Sequence, residues 1–287
     1  MVKAIRIHET GGPDVMKLED VDLPDPGPGQ ARVKHTAIGL NYIDTYHRSG
    51  LYPIPLPSGL GLEAAGIVEA IGDGVRNVAV GDRVAYGSGP LGAYSEAQNC
   101  FAAGLIKLPD GIKEEEAAAL MMKGLTVRYL FKETYKVKPG ETILFHAAAG
   151  GCGLVACQWA KELGVTMIGT VSSEEKAELA RAHGCAHVIN YSTENVPERV
   201  ADITNGAKVP VVYDGVGKDT FDMSLDCLAP RGLLASFGNA SGPVTGVDLS
   251  DLQNKGSLYV TRPTMLHYMM TPDQVSEATA DLFDVVA

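Results

Sequence analysis

Between Thr142 and Gly217 short apolar runs alternate with helix-length periodic segments, in the order TILFH, CGLVACQWAKELG, VTMIGT, SEEKAELARAHG, AHVIN, PERVADITNG and VPVVYDGVG. Strand, helix, strand repetition at this spacing predicts an α/β chain with a doubly wound parallel sheet. LLASFG and SLYVTRP, at 233–238 and 257–263, are expected to extend that sheet. TPDQVSEATADLFDVVA then reads as a helix, with Thr271 and Gln274 at capping-box spacing and Pro272 at the first helical position.

Directly after TILFH stands AAAGGCG, in which Ala148, Gly150 and Gly153 take the small-residue positions of G-x-G-x-x-G, with Ala in place of the first Gly. Gly150 lets the backbone approach a pyrophosphate, Gly153 lets the helix pack close to the strand, and the helix N-terminus offers donors to the phosphates. A ligand-free tight turn is the plainer alternative; a strand before, a helix after and a second strand about 20 residues on favour a dinucleotide. Cys152 reads as a small side chain filling a slot. The turn after the second strand, IGTVSSEEKA at 168–177, is where an adenosine ribose would lie. Ser172, Ser173 and Lys176 offer two hydroxyls and an ammonium to a 2′-phosphate, which points to NADPH. Glu174 and Glu175 stand close by, and pairing with them is the competing use for Lys176.

Residues 1 to about 125 have a different grammar: short alternating runs, KAIRIH, QARVKHTAIG, AAGIVEAIG and GDRVAYG, separated by Gly and Pro clusters. That predicts a strand-rich, partly barrel-like domain. A chain of 287 residues with 45% apolar content accommodates two such domains. The balance of 24 basic against 35 acidic residues, net −11, disfavours polyanion binding, so nucleic acid is not an expected partner. Cys100, Cys152, Cys157, Cys185 and Cys227 form no C-x-x-C and are read as reduced thiols. The opening MVKAIRIHETGG has no apolar leader region and no run reaches the ~18 apolar residues of a membrane span, so a cytoplasmic location is expected.

Taken together, PDPGPGQARVKHTAIGLNYIDTYHRSGLYP, LPSGLGLEAAGIVEAIGDGV, VGDRVAY, GAYSE, GLTVRYL, HAAAGGCGLVACQWAK and VVYDGVG resemble the zinc-independent quinone oxidoreductases, including the zeta-crystallin group, of the medium-chain dehydrogenase/reductase superfamily. The resemblance covers essentially the whole chain. It implies a GroES-like catalytic domain at 1–125, to which 264–287 returns, a Rossmann-type NADPH-binding domain at 126–263, an active site in the cleft between them, and a homodimer. It places Asn41, Asp44, Tyr46, Tyr52 and Arg262 around the acceptor carbonyl, with Arg262 and Tyr52 stabilising the developing oxyanion. It assigns Asn41, Tyr46, Tyr129, Gly150, Gly151, Cys152, Gly153, Ser172, Ser173, Lys176, Tyr191, Gly215, Val216, Phe237, Gly238 and Asn239 to the cofactor. Asn41 and Asp44 also have the spacing of a helix N-cap pair, Tyr46 and Tyr52 can be ordinary wall residues, and Arg262 can pair with a carboxylate. His47 and His146 are not expected to act in catalysis.

Zinc-bearing relatives carry ligands where this chain reads Asn41, Leu62 and approximately Lys123, so no metal is expected. Without a metal, reduction of a quinone is favoured over oxidation of an alcohol, because the reduced oxygen is phenol-like, with a pKa near ~10. Reduction of an activated C=C bond in an enone or alkenal, and a non-catalytic NADPH-binding or RNA-binding role like that of some crystallin relatives, are the alternatives. Family members continue about 40 residues further, so the resemblance also implies a shortened chain whose first domain lacks closing strands.

Overall fold

The computed structural model describes residues 1–286, which fall into two compact units: Met1–Leu125 with the stretch from Met269 on, and Thr126–Tyr268. The first unit contains β1 (Val2–Ile7), β2 (Lys17–Val21), β3 (Gln30–Ile38), α1 (Tyr42–Ser49), β4 (Ser58–Gly59), β5 (Ala64–Ile71), β6 (Arg83–Tyr86), β7 (Ala97–Phe101) and β8 (Ile106–Lys107), and most of α2 (Glu114–Tyr129). Its strands form a three-stranded sheet, β2-β1-β4, and a five-stranded sheet, β7-β3-β5-β6-β8. Strand alternation in β3 turns Ala31 and Val33 inward, where they pack with Val68, Val84, Tyr86 and Cys100. Opposite His35, β5 carries Gly66, and the register slips between His35 and Ala37. A Cβ on Gly66 would stand 1.9 Å from the Lys34 carbonyl oxygen, so this irregular crossing requires glycine.

Two helices in this unit depart from the strand-rich expectation. The segment after Asn41, signalled in sequence only by the spacing of Asn41 and Asp44, is the eight-residue α1. The 16 residues EEEAAALMMKGLTVRY form α2, with Glu114, Glu115 and Glu116 favouring its N-terminal dipole end. Ala117, Ala118, Met121, Leu125, Val127 and Tyr129 are all buried, so α2 is covered on most sides and shows no single apolar face.

The second unit is the doubly wound sheet: β9 (Thr142–Phe145), α3 (Gly151–Glu162), β10 (Thr166–Val171), α4 (Glu174–Ala182), β11 (His187–Asn190), α5 (Val196–Ile203), β12 (Val209–Asp214), α6 (Phe221–Cys227), β13 (Leu228–Ser236), α7 (Leu249–Asn254) and β14 (Tyr259–Thr261). All pairs are parallel, in the order β11-β10-β9-β12-β13-β14, which reverses direction between β9 and β12. LLASFG and SLYVTRP supply β13 and β14, as expected. Leu144, Ile168, Val212 and Leu234 lie fully buried in one cluster with Phe221 and Leu225 of α6.

The last helix, α8 (Pro272–Val286), belongs to the first unit. Its expected cap is present: Gln274 N–H donates to Thr271 Oγ1, and Thr271 N–H donates to Gln274 Oε1 at 3.1 Å. Leu282 seats over Gly124, where a Cβ would come within 2.4 Å of it.

Gly66→Ala is expected to destabilise the first unit by about 3 kcal/mol, at the upper end for overpacking because the obstacle is backbone. A fall in the denaturant midpoint of the unfolding transition checks it.

Candidate active site

In the first unit the candidate residues gather at the start of α1. Asn41 is its N-cap, and the Asp44 carboxylate reaches back to accept from the Asn41 N–H at 2.9 Å. The capping role expected for this pair is therefore present on the Asp44 side. Asp44 Oδ2 also accepts from the Tyr94 hydroxyl at 2.7 Å, while Oδ1 is buried without a partner. Burial pushes the Asp44 carboxyl above its ordinary range, against the opposing Tyr94 and Asn41 hydrogen bonds. Tyr42, Tyr46 and Tyr52 form a run of ring contacts, with centroids 5.5 Å and 5.0 Å apart. His47 packs its ring against Tyr52, and burial holds its pKa below the usual imidazole value.

The Asn41 side chain also bonds outside the helix. Its Nδ2 donates to Glu63 Oε2 at 2.6 Å, and its Oδ1 accepts from Lys123 Nζ at 2.9 Å. Glu63 is fully buried; Oε1 accepts from the Met122 N–H at 2.7 Å, and Oε2 lies 3.3 Å from Lys123 Nζ. Burial pushes the Glu63 carboxyl up, and the Lys123 ammonium opposes that shift. From sequence alone Glu63, next to Leu62, has no His or thiolate partner for a metal, and Lys123 is only approximately a position where a relative has a metal ligand. The structure makes them an ion pair. An ammonium between an amide and one carboxylate does not fit the tetrahedral N/S ligand set that zinc requires. Among the described residues no three His, Cys, Asp or Glu side chains are grouped to hold a metal.

In the second unit Gly150 is the N-cap of α3, and Gly151, Cys152 and Gly153 form its first turn. A Cβ on Gly153 would meet the Ala147 carbonyl oxygen at 2.4 Å, so the helix start packs against the loop as the glycine pattern predicts. At the end of β10, Lys176 Nζ donates to Ser172 Oγ at 3.0 Å, and Ser192 Oγ donates to the Ser172 carbonyl. Ser173 has a local duty, its Oγ capping α4 by accepting from the Lys176 N–H. One of the two competing carboxylates is drawn off: Glu174 pairs with Arg181 at 2.6 Å. Tyr191, one step beyond β11, is half exposed.

After β12 and β13 the loops approach closely, since a Cβ on Gly238 would stand 2.2 Å from the Gly215 carbonyl oxygen. Asp214, buried and absent from the sequence-derived site, accepts from the N–H groups of Val216 and Gly217 at 2.7 and 3.0 Å. Phe237 packs on Phe145, and Asn239 accepts from the Gly242 N–H. Tyr129 stacks on Tyr268 at 4.5 Å. Arg262 Nη1 donates to the carbonyls of Ser236 and Gly238 at 2.6 and 3.3 Å, so part of its guanidinium serves the backbone beyond β13. His146 is fully buried between Thr170 and Ser224, consistent with a structural part.

Two family descriptions match: an alcohol dehydrogenase GroES-like domain over residues 27–110 and a zinc-binding dehydrogenase over 151–284. A quinone oxidoreductase of Pseudomonas aeruginosa is 61% identical over 287 residues, covering 100% of this chain and 88% of its own. A 2-haloacrylate reductase of Burkholderia is 50% identical, with 100% and 88% covered. The crystal structure of Escherichia coli quinone oxidoreductase complexed with NADPH superposes with a TM-score of 0.98 at 53% identity, covering 99% of this chain and 87% of that one. The chain belongs to the zinc-independent quinone oxidoreductases of the medium-chain dehydrogenase/reductase superfamily.

The raised Asp44 pKa has a definite sign. The folded chain holds that proton more tightly than the unfolded chain, so the stabilisation is full below the ordinary value of 3.8 and is lost as pH rises through the folded value. Asp44→Asn, which removes the buried ionisation, is expected to gain stability relative to the wild type as pH is raised from about 3 toward 7. Denaturant unfolding of both proteins across that range measures it.

Proposed function

We infer that this chain is an NADPH-dependent quinone oxidoreductase that works without a metal. The observation that carries the reading is the 61% identity, across the whole chain, to a protein named for that activity. The cofactor site fits the group on independent grounds: a helix start with glycines at the close approaches, and a Ser172–Lys176 pair from which Glu174 is withdrawn. When bound, NADPH supplies the hydride.

The chain's own residues do the rest. The N–H groups at the start of α3, around Gly150, Gly151, Cys152 and Gly153, hold the pyrophosphate. Ser172, Ser173 and Lys176 receive the 2′-phosphate, with Tyr191 beside them. Tyr129, Gly215, Val216, Phe237, Gly238 and Asn239 shape the remainder of the cofactor surface in residues 126–268. Tyr46 and Tyr52 offer an aromatic wall to a flat acceptor, and Asn41 and Asp44 order its polar end. Arg262, with one nitrogen committed to the Ser236 and Gly238 carbonyls, is a fixed cation for the cofactor-binding unit. The reduced acceptor oxygen is phenol-like, so hydrogen bonds suffice to stabilise it. A cytoplasmic homodimer is part of the same reading; no described helix is long and apolar enough to cross a membrane.

A steady-state acceptor screen at fixed NADPH tests the activity, with turnover of simple quinones expected and turnover of enones alone opposing it. Lys176→Ala is expected to weaken NADPH by about one to two orders of magnitude while leaving NADH nearly unchanged, because a hydrogen bond to a charged group contributes roughly 1.5 to 3 kcal/mol. Equilibrium titration of both nucleotides provides the check, and equal affinities in the native protein would contradict the cofactor assignment.

A further inference from the structure

An ion pair inside a protein is a poor device for stability, because the desolvation of both charges offsets most of their attraction. What the Glu63–Lys123 pair does deliver is a cation whose position is fixed. Glu63 is inaccessible to solvent, and three donors converge on its two oxygens: the Met122 N–H, Asn41 Nδ2 and Lys123 Nζ. The lysine stem is largely covered, with 19% of the side chain exposed, so its ammonium cannot swing freely. An ammonium has three N–H donors. Asn41 Oδ1 and Glu63 Oε2 take two of them.

We propose that Lys123 is a catalytic residue whose third N–H donates to the acceptor oxygen that becomes anionic during reduction. This deepens the quinone-reductase reading and rests on it, since that reading puts the acceptor beside Asn41. The overall change is quinone plus NADPH plus one proton, giving hydroquinone plus NADP⁺. Hydride delivers two electrons and one proton to the acceptor, and the second proton comes from solvent. Lys123 acts as a preorganised positive charge, stronger at a desolvated site than in water. The Asn41 amide is held with its oxygen to Lys123 and its nitrogen to Glu63, so the cluster orients one neutral and one charged donor together.

The test uses the full chain and two variants. Lys123→Met removes the charge but leaves Glu63 buried without a counter-charge, so Lys123→Met/Glu63→Gln, which leaves no unpaired charge, is measured beside it. With a series of substituted 1,4-benzoquinones, kcat/KM of the double variant is expected to fall on the order of a hundredfold for acceptors whose hydroquinones are most basic, and progressively less for electron-poor ones. A purely structural role lowers every acceptor by the same factor, and that uniform loss, or no loss, overturns the proposal. A second readout needs no turnover: the wild type is expected to bind 4-nitrophenol with its pKa lowered, read from the visible absorbance of the phenolate, and the double variant to bind it without that shift. Equal shifts, or none in the wild type, also overturn it. Failure of the wild type to turn over any quinone sinks the functional reading instead, which keeps the two failures apart.

Discussion

The first unit is organised by the need to satisfy one carboxylate that water cannot reach. Glu63 sits at the entry to β5, and its side chain is met by the backbone of α2 at Met122, by the side chain of Lys123 and by the amide of Asn41 ahead of α1. Three segments distant in sequence are thereby fixed to one point. The approach is so close that residue 39 has to be glycine: a Cβ there would lie 2.2 Å from Glu63 Oε2 and 2.3 Å from the Ala118 carbonyl oxygen. Leaving out Lys123 would strand a charge in a low-dielectric interior, a far larger penalty than the loss of an ordinary contact. Because Asn41 is both a partner of Glu63 and the N-cap of α1, the same constraint sets where the tyrosines of α1 begin.

Much of the second unit was legible in the sequence, because its information is local. Strand and helix periods alternate, AAAGGCG marks the tight turn, and the capping spacing of Thr271 and Gln274 announces α8. The helices that escaped notice lacked such signals. α6 is only seven residues long, and α2 is buried around most of its circumference, so neither shows a dominant apolar face. α1 was signalled only by the spacing of Asn41 and Asp44, amid prolines and glycines that suggested turns.

The candidate sites divide in the same way. The turn at Ser172 and Lys176 was readable because its residues are four apart on one loop and helix start. Whether Glu174 would spoil it was not readable, since the answer depends on Arg181 reaching back across α4. Glu63 and Lys123 are 60 positions apart, and no short motif joins them. Comparison with zinc-bearing relatives showed only which ligands were missing there; the fold shows that the space is filled by a lysine. The approach of Gly215 to Gly238 likewise belongs to two separate strands and is visible only once the sheet order is known.

The buried histidine at the end of β9 has a consequence for motion. Ser224 Oγ donates onward to Asp214 or to the Thr220 carbonyl, so it must accept from His146 Nε2, and His146 Nδ1 must then accept from Thr170 Oγ1. Burial keeps the imidazole neutral, which allows one such orientation. The result is a chain of hydroxyl, imidazole and hydroxyl running from β10 past β9 to α6, with the Asp214 carboxylate of β12 beside its end. Asp214 at its far end also grips the N–H groups of Val216 and Gly217, while Thr170 at its near end accepts from the Ala147 N–H. The loop that starts α3 and the loop that follows β12 are thus both fastened to one buried polar chain, and a shift of either costs hydrogen bonds that the dry interior does not replace.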